Sequence, residues 1–534
     1  MRRWNGWGDD GVTVALNPLA QQFLHDLLGP GAPQPDVELA VQTSAIGPSR
    51  LPAEPPATVS LQPEERIKHA VGQSWPDWLK MKFGKIGRVP DGVAYPESTE
   101  QVRTLLQWAA KHQVVVIPYG GGTSVVGHLT CPDTEKPILS LSLERMTRLL
   151  SLDTRSQLAT FGAGANGYAV EAQLRAQGYT LGHFPQSFEY STVGGWIVTR
   201  SSGQQSLRYG RIEQLFAGGR VETMVGSLSI PTFPASAAGT DLREWVLGSE
   251  GRLGVVTEAV MRVTPVAEHE SFHALFFPSW DHAERAVREL VQSKLPLSML
   301  RLSNPMETFT NLKLAGHANL ISLLERYLQF RGVGEGKCML MLGVTGFKNT
   351  AKSALKEAIT RCRQQGGVYI GTAMGNKWAE NRFRGPYLRN SLWQLGYASD
   401  TVETAADWPA VTSTMQAVES AARDALAEMG VKLHAFTHLS HLYPQGASIY
   451  TTFVYPLAQG YEANLLRWQA LKKAASEAMT HAGTTISHQH GVGRDHAPYL
   501  LAEKGPLGVA VMRKLFKQFD PEGLMNPGCL VADE

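Results

Sequence analysis

The chain of 534 residues is too long for a single hydrophobic core, so two or three domains are expected. Hydrophobic residues make up 43% of it and charged residues 18%, a composition typical of soluble globular proteins. The formal net charge of +2 argues against a nucleic-acid partner, which would require clustered lysine and arginine residues.

Residues 1–89 are predicted to form an N-terminal arm. The first residues lack the apolar segment of a secretory signal, and nowhere do about eighteen apolar residues run together to span a membrane. Asn17 and Pro18 are typical of a helix start, and Gly29–Pro30 is typical of its end. The proline-rich stretch 31–63 is expected to be extended and to pack against a neighbouring part of the protein.

The four cysteines are far apart in the sequence and form no CxxC pair. A disulfide framework or a zinc site is therefore not expected. We expect a cytoplasmic protein, and a peripheral membrane contact and a homodimer stay open.

Residues 90–266 alternate between predicted strands and helices, which indicates an α+β or α/β domain. The elements are a helix from Ser98 to about Ala109 that starts with a capping box, a buried strand at 114–117, a strand ending at Gly162, a helix at 168–177 and short strands up to Pro265. The strand at 114–117 runs directly into a glycine-rich loop.

Residues 267–457 are predicted to form a second α+β domain, and residues 458–534 a helical C-terminal segment. In the second domain the order strand, helix, strand occurs twice, at 272–277, 281–292 and 298–302 and again at 338–344, 348–364 and 367–370. Such units suggest a sheet with helices on one face, which would suit a lid over a site. The C-terminal segment contains a histidine-rich loop at 487–496.

Three glycine-bearing loops adjoin predicted strands of the first domain. They are Gly120–Ser124, the stretch 185–203 and the stretch 248–257. Glycine leaves backbone amides unobstructed and allows positive φ, so such loops can bind the pyrophosphate of a dinucleotide. A single glycine turn would be weak evidence, but three together favour a cofactor that lies along the backbone.

The segment Gly162–Gly167 also matches the GxGxxG pattern between a strand and a helix. A strand that ends in an acidic residue does not follow it in a clean βαβ unit. We therefore reject it as a nicotinamide site.

The glycine loops, with Ser191–Trp196 and Gly248–Gly254, resemble the flavin domain of the vanillyl-alcohol-oxidase superfamily. Within that superfamily the chain is similar along nearly its whole length to the alkyldihydroxyacetonephosphate synthase family, because Trp4–Gly8, Arg88–Val93 and Ile486–Gly493 match motifs of that family. The resemblance implies an α+β fold with a two-subdomain FAD-binding domain of the PCMH type, formed by the N-terminal half and the C-terminal segment. The resemblance also implies an α+β cap domain that binds the substrate.

The resemblance further implies that FAD is bound without a covalent link. No histidine or cysteine suited to tether the flavin lies in the loops, and the nearby His128 is interpreted as a surface or packing histidine. The implied FAD contacts are Pro118, Tyr119, Gly120, Gly121, Gly122, Thr123, Ser124, Gln186, Ser187, Ser191, Thr192, Gly195, Thr199, Ser202, Glu250, Gly251, Leu253, Gly254 and Val256.

The resemblance places a proton-transfer tyrosine at Tyr450, in a strand whose alternation would aim it into the pocket. A phenol is a poor base unless a neighbour lowers its pKa, and His488 and His490 are candidates for that neighbour. His183 matches a family position close to the flavin, and the resemblance implies that Tyr450, His488, His490 and His183 are the catalytic residues. The family has three successive histidines where this chain has Gln489 in the middle, so either that position is dispensable or the substrate differs. Two histidines are too few for a zinc site, and no metal is predicted.

Arg389 is the anchor for the substrate phosphate that the resemblance implies, and Arg301 is a second arginine near the site. A guanidinium group suits this role because its fixed fork meets phosphate oxygens in pairs. Arg301 lies between two leucines, which predicts a buried partner for its charge.

The implied reaction exchanges the acyl group of acyl-dihydroxyacetone phosphate for a fatty alcohol without net oxidation, with Tyr450 or His490 as the base and FAD as the electron sink. A lipid substrate of this kind needs an apolar tunnel, which the cap could provide. The first alternative is an FAD-dependent 2-hydroxy acid dehydrogenase, whose arginines would hold a carboxylate. The second is a flavin-binding scaffold, against which the joint presence of Tyr450, His490 and Arg389 argues.

Overall fold

The computed structural model describes residues 1–52, 54–56, 58–316 and 318–532. In these described ranges, helices are mixed with four sheets, of four, five, two and seven strands. Within the described residues, every helix is too short or too polar to cross a lipid bilayer. All four cysteines are buried and unpaired.

The N-terminal arm is built of short elements that pack on the rest of the protein. They are α1 (Pro18–Leu28), α2 (Leu39–Ser44), β1 (Val59–Ser60), α3 (Pro63–Lys68) and α4 (Trp75–Lys82). Asn17 Oδ1 accepts a hydrogen bond from Ala20 N at 2.9 Å, so the predicted helix start is confirmed. The expectation of an extended stretch at 31–63 is wrong at α2, and its residues 53 and 57 lie outside the described residues.

The arm is followed by two sheets that share one apolar core. Their elements are β2 (Gly92–Ala94), α5 (Thr99–His112), β3 (Val115–Tyr119), β4 (Ile138–Ser142), β5 (Leu149–Asp153), β6 (Leu158–Gly162), α6 (Gly167–Arg175), β7 (Tyr179–Thr180), α7 (Val193–Val198), α8 (Ser206–Tyr209), α9 (Ile212–Leu215), β8 (Phe216–Thr223), β9 (Gly226–Ile230), α10 (Arg243–Val246), β10 (Val255–Arg262) and β11 (Thr264–Pro265). The sheet orders are β1-β2-β4-β3 and β5-β6-β10-β8-β9.

Helix α5 shows why these residues fold as they do. Ser98 Oγ caps its first turn by accepting from Gln101 N at 3.3 Å. The apolar residues at helical spacing are fully buried against both sheets, namely Val102, Leu105, Leu106 and Ala109. Strand β3 is parallel to β4 and delivers the backbone directly into the glycine loop at its carboxyl end.

The cap is a seven-stranded antiparallel sheet in the order β15-β12-β14-β13-β17-β18-β16. Its elements are β12 (His269–Phe277), α11 (Trp280–Gln292), β13 (Met299–Ser303), α12 (Pro305–Leu314), α13 (Ala318–Phe330), β14 (Cys338–Gly346), α14 (Lys348–Gln364), β15 (Val368–Tyr369), α15 (Ala373–Asn381), a 3-10 turn (Gly385–Tyr387), α16 (Leu388–Gln394), β16 (Tyr397–Asp407), α17 (Trp408–Ala427), β17 (His434–Leu439) and β18 (Gly446–Pro456). Both predicted strand–helix–strand units are present.

The two faces of the cap sheet have different partners. Helices α11, α14 and α17 cover one face through residues such as Leu275, Leu340 and Ile449. The opposite face turns toward the glycine loops, but α12 and α13 cover part of it through contacts with Met339. The prediction of helices on a single face is therefore wrong for this part of the sheet.

The C-terminal segment returns to the first domain. It contains α18 (Tyr461–His481), a 3-10 turn (Ala497–Tyr499) and α19 (Leu500–Phe519). Beyond α19 the chain pairs with β3, because Val116 N donates to Leu524 O at 2.8 Å and Asn526 N donates to Val116 O at 2.9 Å. Asn526 Nδ2 then reaches the carbonyl oxygens of His128 and Glu250. Residues from both ends of the sequence thus build one region.

Candidate active site

A cavity of about 610 Å³ lies between the glycine loops and the inner face of the cap sheet. Its volume is within the range of cofactor and ligand sites. One wall consists of the glycine loops, and the other carries polar side chains of β13, β16, β17 and β18. The predicted cofactor loops therefore share one cavity with Tyr450, His490, Arg389 and Arg301.

The Gly120–Ser124 loop approaches the following loop more closely than any side chain would permit. A Cβ atom on Gly121 would lie 1.7 Å from Tyr190 O, and one on Gly120 would lie 2.4 Å from Thr192 Oγ1. Gly122 has a φ of +62°, which a side chain would strain. The sequence requires glycine at these positions so that bare backbone lines the cavity, as a dinucleotide needs.

Replacing Gly121 by alanine is expected to weaken FAD binding by about tenfold or more, since overpacking of this kind costs about 1–3 kcal/mol. The measurement is a titration of the apoprotein with FAD, followed by flavin fluorescence. Gly47→Ala is the matched control, because a Cβ atom there meets nothing within 4 Å. Equal affinities of the two variants would contradict the assignment of the loop.

All but one of the predicted FAD contacts line the cavity. The exception is Leu253, which is wholly buried in the core below the loop. The Leu253 side chain packs in the core under the loop, so the prediction that Leu253 contacts FAD is corrected. Glu250 lines the cavity and also accepts hydrogen bonds from Val492 N and Gly493 N, at 2.5 and 2.7 Å, so it ties the third glycine loop to the histidine-rich loop.

His128 lies between two partners beside the cavity. Its Nδ1 is 2.6 Å from Ser124 Oγ, and its Nε2 is 2.9 Å from a carboxylate oxygen of Glu250. Both ring nitrogens are thus engaged by protein. This arrangement accords with the interpretation of His128 as a packing histidine.

Tyr450 lines the cavity from β18 and stacks on His438, with ring centroids 4.8 Å apart. The edge of His490 is the next aromatic neighbour, at 5.7 Å. Burial raises the pKa of Tyr450 to about 12. The expectation that His488 or His490 lowers this pKa is therefore wrong, and Tyr450 is a protonated phenol that can donate a hydrogen bond.

His490 lines the cavity with 21% of its side chain exposed, whereas His488 is buried behind it. Burial lowers the pKa of His490, so the ring is neutral and can accept a proton near neutral pH. His488 Nδ1 is 3.1 Å from Glu403 Oε1, and its Nε2 is within hydrogen-bonding distance of Arg211 and Tyr443. Both of its nitrogens are occupied, so the predicted catalytic role of His488 is corrected to that of a structural bridge.

His183 does not line the cavity. It is 1% exposed, its Nε2 is 3.1 Å from Ser201 Oγ, and its ring lies 4.8 Å from that of Trp196. Burial lowers the pKa of this imidazole to about 3. The structure thus places it beneath the second glycine loop and not among the reactive groups, which corrects its predicted catalytic role.

Arg389 lines the cavity from α16 and is held from behind. Its Nη1 donates to Gln73 O at 2.6 Å, its Nε donates to Ser399 O at 3.1 Å, and its guanidinium carbon lies 4.5 Å from the ring of Trp78. Its Nη2 is buried and, among the described residues, has no hydrogen-bond partner. A buried cation with an unused donor is suited to a substrate anion.

Arg301 also lines the cavity, but its charge is compensated. Arg301 Nη2 and His438 Nδ1 both lie close to Glu307 Oε1, at 2.7 and 2.9 Å. Burial alone would raise the pKa of Glu307, but Arg301 and His438 outweigh it and lower this pKa to about 2. The predicted buried partner of Arg301 is therefore Glu307.

Sequence reasoning missed two buried carboxylates of the cap domain, Glu307 on α12 and Glu403 on β16. Glu307 and Glu403 have exposures of 3% and 2%, and both face the histidines of the site. The available signal was a charged residue within the alternating strand β16. The Trp7 side chain, which lines the cavity from the arm, was likewise not assigned a role.

Three groups lie near enough together to suggest a metal, namely Glu403, His441 and His488. However, His488 Nδ1 is already hydrogen-bonded to Glu403, and Arg211 Nη1 lies 2.5 Å from the other ring nitrogen, Nε2. A metal ion there would face a guanidinium group at short range, which disfavours it. The absence of a metal stays a prediction.

Two family models match the chain. The FAD binding domain matches residues 90–229, and the C-terminal domain of FAD linked oxidases matches residues 266–530. The prediction of FAD as the cofactor is therefore confirmed. The cavity lies where the two matched domains meet.

Relatives of known name match most of the chain. An alkyldihydroxyacetonephosphate synthase of Trypanosoma brucei brucei is 30% identical over 572 residues, which covers 99% of this chain and 92% of the relative. One of Dictyostelium discoideum is 31% identical over 473 residues, covering 87% and 77%. A solved structure of an alkyldihydroxyacetonephosphate synthase superposes with a TM-score of 0.84 at 27% identity and covers 98% of each chain. The predicted fold class and resemblance are confirmed.

Proposed function

Because the chain belongs to the alkyldihydroxyacetonephosphate synthase family, we propose that it is an FAD-dependent enzyme that exchanges the acyl group of acyl-dihydroxyacetone phosphate for a fatty alcohol. The C1–O bond to the fatty acid breaks, a C1–O bond to the alcohol forms, and the oxidation level of the substrate is unchanged. The observation that carries this proposal is one cavity in which an anion-binding arginine, a neutral imidazole and a phenol face the glycine loops.

The loops around residues 118–124, 186–202 and 250–256 would hold FAD through backbone amides and hydroxyls. When bound, FAD supplies an electron sink beside the substrate carbon. The protein contributes the orientation of the substrate and the movement of protons.

Removal of a proton from C1, and the return of a proton to C1 after the alcohol has added, are assigned to His490, while the alcohol proton balances the released fatty acid. The His490 imidazole is neutral near neutral pH and lines the cavity, whereas the raised pKa of Tyr450 makes the phenolate too rare to serve. Tyr450 instead donates its O–H to an oxygen of the substrate or of the departing fatty acid. The alternative that Tyr450 is the base is thus disfavoured.

Arg389 is assigned to the substrate phosphate. Its Nη2 is the unused donor, while the guanidinium group of Arg301 is already paired with Glu307. The positive charge of Arg301 is therefore neutralised by Glu307, whereas Arg389 contributes a net positive charge to the cavity lining.

The hydrocarbon chains are assigned to an apolar branch of the cavity. This branch is defined by its apolar lining residues, most of which pack in one cluster that includes the arm, namely Leu16, Leu24, Leu314, Leu392, Phe436 and Val454. Such a branch suits a fatty acyl or alkyl chain, which needs apolar surface to leave water.

The test of this function offers the FAD-loaded protein acyl-dihydroxyacetone phosphate with isotopically labelled fatty alcohol, and separately a panel of 2-hydroxy acids with a dye acceptor. We expect labelled ether product and no reduction of the dye. Dye reduction without ether formation would replace this proposal by the 2-hydroxy acid dehydrogenase alternative.

A cytoplasmic protein that touches a membrane surface is also part of the proposal. Helix α12 lines the apolar branch with Thr310 and Leu314 and exposes Phe309 on its other side. The neighbouring helix α13 exposes Leu320, Leu323 and Phe330, at 66%, 65% and 87%. Exposed apolar side chains beside a lipid-binding cavity support delivery of the substrate from a bilayer.

The double substitution Leu320→Asp and Leu323→Asp is expected to lower binding to phosphatidylcholine vesicles at least tenfold, because each buried leucine contributes about 1.5–3 kcal/mol. Co-sedimentation with vesicles measures this binding. Leu507→Asp, at a site of 78% exposure on α19, should leave it unchanged. Equal loss in both variants would show that the contact is not specific to α13.

A further inference from the structure

A carboxylate of the cap sheet lies directly behind the histidine-rich loop. Glu403 is on β16, opposite Tyr450 of β18, and is 2% exposed. Its Oε1 is 3.1 Å from His488 Nδ1 and 3.0 Å from Ser440 Oγ, and its Oε2 accepts from Gln489 Nε2 at 2.6 Å. Its backbone carbonyl accepts from His488 N at 3.1 Å.

These contacts fix the protonation form of His488. Because Nδ1–H of His488 donates to the Glu403 carboxylate, the lone pair of Nε2 is the remaining acceptor, and it faces Arg211 Nη1 and the Tyr443 hydroxyl. A further proton on Nε2 would face the positive charge of Arg211, which disfavours it. The loop is therefore anchored at this residue.

Gln489 anchors the loop a second time. Its amide donates to Glu403 Oε2 and cannot itself titrate, so the carboxylate meets a neutral partner on this side. Within residues 488–490, His490 is then the side chain that can take up a proton and that also lines the cavity.

His490 is surrounded by charged and titratable groups from several elements. Its Nε2 is 3.9 Å from Glu403 Oε2, and Tyr450 faces its edge. The groups that act on it electrostatically from β16, α18 and its own loop are Glu403, Asp400, Lys472, His488 and His496. Among the charges, Glu403 acts most strongly on it and in the direction that retains a proton.

We propose that Glu403 is a positioning residue, which clamps the histidine-rich loop through His488 and Gln489 and sets the proton affinity of His490 from 3.9 Å away. This inference rests on the proposed function, in which His490 removes the proton from C1. Glu403 itself does not line the cavity and touches no substrate atom.

The test compares Glu403→Gln with the unaltered FAD-loaded enzyme. Loss of the carboxylate is expected to shift the acid limb of kcat/KM against pH downward by roughly one to three units, because the charge that favours the protonated imidazole is gone. It is also expected to lower kcat about tenfold or more through misplacement of His490. An acid limb that stays in place would overturn the proposal.

Two further variants distinguish a specific effect of the Glu403 carboxylate on His490 from general destabilisation of the protein. Glu403→Asp keeps the carboxylate and is expected to keep the acid limb near its original pH. Glu419→Gln removes another carboxylate of the cap, which is partly buried and accepts from Asn304 and Thr437, and should leave the pH profile unchanged. A shift of equal size in Glu419→Gln would assign the effect to general destabilisation and contradict a specific role of Glu403.

A readout without turnover distinguishes this inference from the proposed function. His490 and the flavin loops share the cavity, so the flavin absorbance spectrum of the resting enzyme should titrate with His490, and its midpoint should fall in Glu403→Gln. A shifted midpoint in a protein without synthase activity would contradict the proposed function but would support the role of Glu403.

If Glu403→Gln does not fold, Gln489→Met takes its place, because it removes the second contact between the loop and the carboxylate. An unchanged kcat in that variant would overturn the proposal.

Discussion

Replacing His490 by glutamine is expected to lower kcat by about 10²- to 10⁴-fold, the usual contribution of a general base. The imidazole lines the cavity and is neutral near neutral pH, and a glutamine of similar reach cannot accept the proton. Steady-state formation of the alkyl ether measures the effect. FAD content should remain that of the unaltered enzyme, because His490 is not among the glycine loops.

The matched control for this substitution is His434→Gln. His434 lines the same cavity on the apolar side, where its Nε2 is 2.9 Å from Thr310 Oγ1. Its loss should affect the KM for the fatty alcohol and leave kcat within roughly threefold, since a single neutral hydrogen bond contributes about 1 kcal/mol. Equal losses of kcat in both variants would contradict the assignment of the base.

The pH dependence follows from the same residue. Burial lowers the pKa of His490 below its ordinary value of 6.5, so the neutral form persists into mildly acidic solution. The rate should therefore hold as the pH falls through 6.5 and decline only below the lowered pKa. Because the pKa of Tyr450 is raised to about 12, ionisation of this phenol should produce no alkaline limb near neutral pH.

Replacing Arg389 by methionine is expected to lower kcat/KM for acyl-dihydroxyacetone phosphate by about 10²- to 10³-fold, in keeping with about 2–5 kcal/mol for a buried, hydrogen-bonded charge pair. The loss should fall mainly on the KM of the phosphate-bearing substrate, while the KM of the fatty alcohol stays the same. Lysine at this position should rescue little, because one ammonium group cannot reproduce the fork that donates to Gln73 and Ser399.

Arg384→Met provides the comparison for Arg389. Arg384 lies five residues earlier, is partly exposed, and pairs with Glu189 at 3.5 Å. An exposed pair contributes about 0–1 kcal/mol, so its loss should change kcat/KM little. If Arg384→Met matched Arg389→Met, the phosphate would have to bind elsewhere.

The local features of this protein could be predicted from its sequence. The glycine loop after β3 is a short-range signal, because a buried strand followed by three glycines specifies bare backbone at the end of a sheet. The helix start at Asn17 and the two strand–helix–strand units of the cap are local in the same sense. In each case the pattern and its structural cause lie within a few residues.

The partners of the reactive residues could not be predicted in this way. His488 meets Glu403 across 85 residues, and Tyr450 stacks on His438 because β17 and β18 are neighbours in the sheet. These contacts depend on strand order and register, which hydrophobic periodicity does not specify. The resemblance likewise suggested His183 without revealing that Trp196 and Ser201 enclose it.

The return of residues 524–526 to β3 has a consequence for biosynthesis. Translation produces β3 and the glycine loop hundreds of residues before Asn526, whose side chain joins the backbones of His128 and Glu250. A nascent chain on the ribosome therefore presents an open flavin cleft, and folding of the early domain alone does not close it. The vitamin-derived cofactor therefore meets its completed binding site only once the polypeptide has been synthesised through residue 526.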